Sequence, residues 1–583
     1  MAWRPFLSAN FPPFPGPPPN LPYLGDDGDK WDQSAFLQLD FRKRVQWMRA
    51  ACAVQGYGNQ SLLGWAFYLG KAWLYLSLFL LFCVRPEESE TRTLIRLLAY
   101  SSLWECTGMG YGSGPSRGKF LPPVLVSFFH FIYMGTPKVP TNLLPSSLRG
   151  SRRGVLEVGL FSLYLNYSVK LALGGKTEGE SVGQLALIWI AVCTALGVLD
   201  QVFFFAGRSE VIGSMMIAVL LEEFAIGEGE VKSAVGLIQV LIWLWTAMSK
   251  LEAWYRFGWC PTSHLVAMRL VPAKFRQALY RDWPRDLNPS QLAQIGAMLG
   301  LGMEFVFPVC LAVGGATCGW VGAATTIGYH LVVVLHTGAP LERSVFTLLI
   351  AAYSFTSVTG NVFTWLQRAV MDGHYGRNSI VLTFPGLALP HALVLLYICV
   401  AHVLVPLFGI LYPDRVSRFL TSQTACGNRP SSCWLIKRTA VSKLDLSWSF
   451  SSLPHQQLAR LYLTSVIDQW EYRTLCEKTL RQLNSRALLD ILPLCCGEAL
   501  DDYLIVEGEA FSGAVLGWSC GLDGEGALLS EVQQRCQFAA HELKHVYIGP
   551  VSFTTGEAQW QVADQDSQTT HCGSYSMQQL LNQ

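Results

Sequence analysis

Residues 287–341 read LNPSQLAQIGAMLGLGMEFVFPVCLAVGGATCGWVGAATTIGYHLVVVLHTGAPL, and Glu304 is the only Asp, Glu, Lys or Arg among these 55 residues. Residues 378–413 contain none of these four residue types. A helix needs about 20 mostly apolar residues to cross the hydrocarbon core of a bilayer, which is roughly 30 Å thick. A water-soluble fold has no need of such long uncharged stretches. The sequence therefore predicts a membrane protein.

Further apolar segments occur along the first three quarters of the chain. Lipid offers no hydrogen-bond partner to an open backbone, so we expect these segments to be helices. Runs such as LVVVL do not alternate as the strands of a membrane barrel do. We predict an α-helical polytopic membrane protein with about ten transmembrane helices, drawn from eleven candidates. The candidates are 61–84, 94–111, 121–137, 155–174, 183–206, 211–226, 234–251, 292–313, 318–338, 344–366 and 386–411.

Three loops between these candidates are rich in Lys and Arg, which accumulate on the cytoplasmic side of membrane proteins. Four candidates separate the first loop from the second, and four separate the second from the third, so all three lie on one side. We expect ten spans with both termini in the cytoplasm. The basic residues are Lys138, Arg149, Arg152 and Arg153; then Arg256, Arg269, Lys274, Arg276, Arg281 and Arg285; then Arg415, Arg418, Arg429, Lys437, Arg438 and Lys443.

The net charge of +1 hides two oppositely charged regions. Residues 441–583 hold 17 acidic and 8 basic residues, whereas residues 1–440 hold 25 acidic and 35 basic residues. This division excludes a single uniform soluble domain and a basic nucleic-acid binder. We predict that 441–583 is an acidic, soluble α/β domain in the cytoplasm. Opposite charge leads us to expect that it docks on the basic loops of the same chain, or on a protein partner.

The remaining domain predictions follow from composition. Residues 1–30 are proline-rich and typical of a disordered arm. Residues 31–60 are typical of an amphipathic helix at the membrane surface or, equally, of an ordinary packing helix. Residues 61–440 form the polytopic domain. Within the tail, apolar spacing predicts helices in 454–487 and in SEVQQRCQF (530–538), and strands in 502–521, HVYIGPVSF (545–553) and QWQVAD (559–564).

Ordered landmarks along nearly the whole chain resemble an uncharacterised, chiefly bacterial, multipass transmembrane family of unknown function. The segments are LWECTGMGYGSGP, TPKVP, DQVFFFAGRSE, RQALYRDWPRDLNPSQLA, MEFVFP, PLERSVF, LYPDRVS and GWSCGLDGEGALLSEVQQRC. The family pattern has an aromatic residue and an amide after Pro-Leu-Glu, where this chain has Arg343 and Ser344. SKLEAWY, MEFVFP and YHLVVVLH also resemble, more sparsely, the membrane domain of vitamin K-dependent carboxylase-like proteins. Neither resemblance implies an assigned reaction.

Ionisable residues inside apolar segments are the first candidates for a functional site. Such groups cost roughly 3 kcal/mol or more at mid-membrane. Glu304 lies among the apolar residues of MEFVF, and a glutamate near histidines can form a proton relay or a metal site. The alternative is that each group caps a carbonyl or lies at the membrane border. The candidate catalytic residues are Glu304, His330, His336 and Lys250, with His391 and His402 as binding residues.

Other charged residues are candidates for binding. Asp200 and Arg208 are eight residues apart on an apolar segment, although ion pairing at the membrane border explains them equally well. Glu342 lies in the PLERSVF segment. The glycine-rich loop GMGYGSGPSRGK (108–119) lacks the order of a phosphate-binding P-loop, but its Arg117 and Lys119 can meet lipid phosphates.

The segment HELKH (541–545) matches the HExxH pattern of zinc peptidases. In that pattern His541 and His545 bind the metal from one face of a helix and Glu542 polarises water. The following VYIGPVSF predicts a strand, which disfavours the helix that the pattern requires. A zinc hydrolase therefore stays a third hypothesis.

These features lead to one functional expectation and to alternatives. We expect an integral membrane protein that handles or transports a lipid or a hydrophobic small molecule, with membrane lipids as partners and no nucleic acid. One alternative is a membrane-embedded, carboxylase-like enzyme acting on a lipid-soluble substrate, with Lys250 or a histidine as base. Another is a structural membrane scaffold, in which the buried polar groups would all be satisfied pairwise. No sequence motif indicates a particular cofactor.

Overall fold

The structure is a computed structural model of the chain. It describes residues 38–55, 62–85, 90–109, 130–136, 138–141, 149–150, 152–174, 181–225, 231–251, 273–313, 316–337, 341–355, 389–412, 430–443, 482–496, 502–508, 532–534, 536–564 and 569–582, and the isolated positions 88, 128, 144–145, 255, 475, 479–480, 500 and 529. The predicted arm, 1–30, and the glycine-rich loop with Arg117 and Lys119 lie outside the described residues.

Helices dominate the first three quarters of the described chain. They are α1 Phe41–Gln55, α2 Leu62–Phe82, α3 Glu90–Cys106, α4 Val155–Leu173, α5 Val182–Leu199, α6 Gln201–Ala206, α7 Ser214–Ala225, α8 Val231–Met248, α9 Ala273–Ala278, α10 Gln291–Val313, α11 Ala316–Thr337, α12 Leu341–Phe355, α13 Leu389–Cys399 and α14 Val405–Leu411. Two π-helical turns interrupt them, Ser209–Gly213 before α7 and Val400–Leu404 between α13 and α14.

Three helical segments of the described chain are long and apolar enough to cross a membrane. They are Val182–Leu199, Gln291–Val313 and Ala392–Leu411. Shorter apolar helical segments are Leu69–Phe82, Ser209–Leu221 and Ala234–Met248. The chain thus contains membrane-spanning helices, but the predicted count of ten is not confirmed.

Helix α10 shows how these helices are arranged relative to lipid. Ala293, Ala297, Leu301, Glu304 and Phe307 are spaced by three or four residues and are buried against other helices. The opposite face exposes large apolar side chains, including Leu299 at 67%. An exposed apolar stripe of this size is unfavourable in water and favourable against lipid. The outer face of α10 is therefore suited to the membrane.

The segment predicted as spans 183–206 and 211–226 differs from a pair of plain helices. Helix α5 starts at a capping box, where Ser181 Oγ accepts the Gln184 backbone N–H, and it ends at Asp200, whose backbone is extended. The short α6 follows, and Arg208 then adopts a left-handed backbone conformation with φ 49°. The C-terminal end of the predicted span 183–206 was wrong. Helix α5 ends at Leu199, seven residues earlier, because the chain turns at Asp200.

A five-stranded antiparallel sheet lies near the C-terminus, in the order β4-β3-β5-β6-β7. Its strands are β3 Ser431–Lys437, β4 Tyr503–Glu507, β5 Leu543–Val551, β6 Glu557–Asp564 and β7 Thr569–Ser576, accompanied by α15 Leu488–Cys496 and α16 Met577–Asn582. The strand predictions at HVYIGPVSF and QWQVAD are confirmed. A separate two-stranded ribbon joins β1 Tyr280–Asp282 to β2 Asp286–Pro289. Strand β3, which precedes the predicted domain boundary at 441, pairs with both β4 and β5.

The central strand β3 of the sheet is buried on both faces. Trp434 and Ile436 belong to the same hydrophobic cluster as the helical bundle. Cys433 and Leu435, on the opposite face, belong to a cluster with α1 and the ribbon. Helix α1 contributes Phe41 and Val45 to that second cluster, among others. This burial favours the packing interpretation of the 31–60 segment over a helix lying on the membrane surface.

Candidate functional site

Glu304 lies on the buried face of α10, thirteen residues after its start at Gln291. Ser290 precedes the helix, and its hydroxyl accepts the Ala293 backbone N–H at 3.4 Å. The burial stripe that starts at Ala293 continues through Leu301 to Glu304, so the carboxylate faces neighbouring helices rather than the outer surface. Its side chain is 3% exposed. Glu304 is therefore too far from either helix end to be a cap.

Lys250 is the charge partner of Glu304. It lies just after the end of α8, and its Nζ donates a hydrogen bond to Glu304 Oε1. The same ammonium lies 3.4 Å from the Tyr329 hydroxyl oxygen and 5.6 Å from the centre of the Tyr255 ring. A buried ion pair keeps both groups charged only if it supplies good partners for each. We call Lys250, Glu304, Tyr329 and His330 the Lys250–Glu304 site.

Aromatic rings form the apolar side of this site. Trp243 contacts Phe307 edge to face, with ring centres 4.9 Å apart, and Phe307 lies 5.4 Å from Tyr329. The His330 ring completes this aromatic cluster, with its centre 5.8 Å from that of Tyr329 and 6.4 Å from that of Trp243. The rings come from α8, α10 and α11, so three helices fix their positions. The polar groups therefore lie beside a compact aromatic surface.

Three buried polar atoms of the Lys250–Glu304 site have no hydrogen-bond partner among the described residues: Glu304 Oε2 and both ring nitrogens of His330. An unsatisfied buried donor or acceptor costs about 1–3 kcal/mol, and more for a charged group. Native proteins keep few such atoms, and each one needs an explanation. A carboxylate oxygen accepts hydrogen bonds, whereas a neutral imidazole both donates and accepts. A hydroxyl-bearing ligand matches this combination.

Of the other predicted residues, the side chains of His336, Glu342 and His391 lie outside the described residues. His402 is buried elsewhere, where its Nε2 is hydrogen-bonded to Ser214 Oγ. Lys250, predicted as a base, is engaged by Glu304.

Asp200 and Arg208, predicted on one helical face, have separate partners. Asp200 pairs with Arg153 and accepts the backbone N–H groups of Val139 and Val202, each at 3.1 Å. Arg208 lies 3.8 Å from Glu105, and its guanidinium is 5.7 Å from the centre of the Phe346 ring. The helix break at Asp200 separates the two residues.

The HELKH segment does not have the geometry of a zinc peptidase helix. His541 has a left-handed backbone with φ 63°, and its Nδ1 lies 2.9 Å from Asp564 Oδ2. Glu542 bonds to Lys443 and caps the Ala539 backbone N–H at 2.7 Å. His545 lies on β5, where its ring is 4.4 Å from that of Trp434. Within the described chain, no group of three or more His, Cys, Asp or Glu is placed to hold a metal ion.

Several residues of these clusters were not predicted from the sequence. Tyr329 and Trp243 look like ordinary apolar positions of two helices. Ser214 carries no charge and so gives no signal in an uncharged segment. Glu105, the partner of the predicted Arg208, does have a signal, because it lies in LWEC, part of a landmark segment.

Apolar outer helix faces and charge pairs buried inside define the class as an integral membrane protein. A family described as "Transmembrane protein of unknown function (DUF3556)" matches residues 23–583, and the chain belongs to this family. No curated protein and no solved structure matches the chain. The resemblance to vitamin K-dependent carboxylase-like proteins is not shown.

Proposed function

We propose that the protein binds a lipid or another hydrophobic small molecule with a hydroxyl-bearing head group at the Lys250–Glu304 site. The observation that carries this proposal is the set of buried atoms without partners, Glu304 Oε2 and the two His330 nitrogens. One ligand hydroxyl can donate to the carboxylate oxygen and accept from the imidazole. Binding would therefore satisfy atoms that are costly to leave without partners.

The charge balance of the site supports a neutral head group. Lys250 already neutralises Glu304, so an additional charge on the ligand would have no counter-ion among these residues. The rings of Trp243, Phe307 and Tyr329 offer an apolar surface for the rest of the molecule. A ligand dissolved in the hydrocarbon core would reach this surface without crossing water.

The proposal is tested by comparing lipids that co-purify with the wild-type protein and with Glu304→Gln. Each protein is expressed in the same cells, extracted in the same detergent, and its bound lipids are quantified by mass spectrometry per mole of protein. We expect at least one hydroxyl-bearing species to be enriched on the wild type and reduced about 10- to 100-fold on Glu304→Gln, as expected for losing a charged hydrogen bond worth about 1.5–3 kcal/mol.

Glu157→Gln is the matched control, because Glu157 is also buried and paired with a lysine, Lys138. It should retain the lipid of the wild type. Equal lipid content in the wild type and Glu304→Gln would contradict the proposal. A lipid recovered in chemically altered form, with alteration dependent on His330, would instead favour the enzyme alternative.

We also propose the ten-span topology with both termini in the cytoplasm, supported by the three basic loops and by the exposed apolar helix faces. Cys572, an exposed cysteine on β7, reports the side of the C-terminal sheet. A membrane-impermeant maleimide should label Cys572 only after the cells are permeabilised, as read by mass spectrometry of its peptide. Labelling in intact cells would place the sheet outside.

Docking of the C-terminal region on the rest of the chain is the remaining proposal. Buried Arg486 donates to Asn288 of the ribbon at 3.2 Å, and exposed Arg42 of α1 pairs with Asp490. Apolar side chains of α1 and the ribbon belong to one cluster with the sheet. These contacts support an attachment that is mainly apolar, with ion pairs at its edge.

A further inference from the structure

Ser214 and His402 make a contact that has the form of a nucleophile and its base. The hydroxyl oxygen of Ser214 is hydrogen-bonded to His402 Nε2, and Tyr397 Oη lies 2.9 Å from the same oxygen. Both residues are buried, Ser214 at 6% and His402 at 7% exposure. A serine hydroxyl becomes a strong nucleophile when an adjacent imidazole can take its proton.

Two π-helical turns meet at this contact. Ser209–Gly213 ends immediately before Ser214, and Val400–Leu404 contains His402. A π-helical turn is rare, shifts the residues that follow it around the helix, and is frequent at functional sites. The left-handed backbone of Arg208, just before the first turn, is a further conformation that costs free energy. Two costly backbone irregularities therefore combine to place one hydroxyl against one imidazole.

The backbone at His402 is held in place from a third helix. Trp245 of α8 donates its indole N–H to the backbone oxygen of His402 at 2.6 Å. Trp243, two residues earlier on α8, faces Phe307 and His330 instead. Residues two apart on a helix point about 200° apart, so α8 separates this contact from the Lys250–Glu304 site. The Ser214–His402 contact shares no residue with that site.

We propose that Ser214 and His402 hydrolyse an ester of a lipid-soluble acyl chain. His402 Nε2 takes the proton of the Ser214 hydroxyl as its oxygen attacks the ester carbonyl carbon. The bond from that carbon to the alcohol oxygen breaks, and His402 gives its proton to the departing alcohol. Water then attacks the acyl-serine with His402 as base, releasing the carboxylic acid and restoring the serine hydroxyl.

The surroundings select the substrate class. Met215, Met216 and Ile398 next to the contact are buried and apolar, whereas Val400 and Leu404 of the second π-helical turn are exposed on an apolar helix face. A hydrocarbon chain suits such surroundings and a charged or sugar-bearing ester does not. Tyr397 donates to the serine oxygen when that serine donates to His402, which places a hydrogen-bond donor beside the reacting oxygen.

The test uses the full-length protein in detergent micelles and two serine-directed probes, an alkyl fluorophosphonate and the smaller diisopropyl fluorophosphate. The measurements are the site of covalent attachment, mapped by mass spectrometry, and the rate of p-nitrophenyl butyrate hydrolysis. We expect an adduct on Ser214. Ser214→Ala and His402→Gln should each lower the hydrolysis rate 100-fold or more, because a positioned base contributes about 10²–10⁴-fold.

Ser168→Ala is the control, because Ser168 is also buried and its hydroxyl accepts a hydrogen bond from Trp189 Nε1 at 2.8 Å, a group that cannot act as a base. It should keep both the adduct on Ser214 and the hydrolysis rate. The adduct on Ser214 is measured on the wild-type protein, so this test does not depend on whether a variant folds. Absence of any Ser214 adduct with both probes, or an unchanged rate in a folded His402→Gln protein, overturns the proposal.

Discussion

Two buried lysine–glutamate pairs in the helical region consist of the same residue types but differ in their hydrogen bonding. Glu157 bonds to Lys138 through Oε1, and its Oε2 accepts the Gly154 backbone N–H at 2.7 Å. Glu304 bonds to Lys250 through Oε1, whereas its Oε2 has no partner among the described residues. The first pair is complete within the fold, and the second leaves one acceptor open.

The positions of the two glutamates in their helices explain the difference. Glu157 is the third residue of α4, where it caps the helix and meets the positive end of the helix dipole. Glu304 is in the middle of α10, where every backbone N–H is already used by the helix. A carboxylate there has only side chains or a ligand as partners. A buried charge pair thus indicates function only when its hydrogen bonds are incomplete.

The largest expected effect on stability is at Asp200. This residue accepts the backbone N–H of Val139, which follows Lys138 of the first pair. Asp200→Ala should cost about 3–5 kcal/mol of stability, because it leaves buried Arg153 without its counter-charge. The melting temperature of the purified protein in detergent is the measurement. A loss below about 1 kcal/mol would mean that the Lys138–Glu157 region is not the rigid structural element that the comparison requires.

The comparison of buried ionisable groups extends to the sheet, where the imidazole of His545 is buried. Burial lowers the pKa of His545 to about 3, from an ordinary value near 6.5. The folded state therefore favours neutral His545, and this stability is lost as the pH falls from about 6.5 towards 3. Between pH 7 and 4.5 the loss should be about 2–3 kcal/mol. In His545→Phe the drop in melting temperature over this range should be smaller, and an identical drop would refute the assignment.

Double replacements of the two pairs should have different consequences for stability. Lys138→Met with Glu157→Leu removes a helix cap and should cost about 1–2 kcal/mol. Lys250→Met with Glu304→Leu removes a buried unsatisfied oxygen and should be neutral or stabilising. Melting temperatures of both double variants give the comparison. Similar losses in the two would show that Glu304 Oε2 is satisfied in the native protein.

The smallest effect is expected at the exposed edge of the sheet contacts. Arg42 is 67% exposed, so Arg42→Ala should cost less than about 1 kcal/mol. Raising NaCl from 50 to 500 mM should likewise change the melting temperature little, because the shared cluster is apolar. A large salt effect would indicate that attraction between the acidic tail and the basic loops is the main cause of docking.

Prediction from sequence succeeded where a local pattern carries the information. The strands β5 and β6 were predicted from alternating apolar residues, and α10 from its uncharged length. β3 was missed because SSCWLIK is buried on both faces and shows no alternation. The end of α5 was missed because Asp200 turns the chain only through its bonds to Arg153 and two backbone N–H groups.

The sequence by itself determined that long uncharged helices cross a membrane and that Glu304 is buried within one of them. Only the tertiary structure decided the partners. Lys250 meets Glu304 across 54 residues of chain, and Ser214 meets His402 across 188. The spacing of residues on one helix indicates which face they share. It does not indicate which distant helix packs on that face, because side-chain packing among all the helices sets that choice.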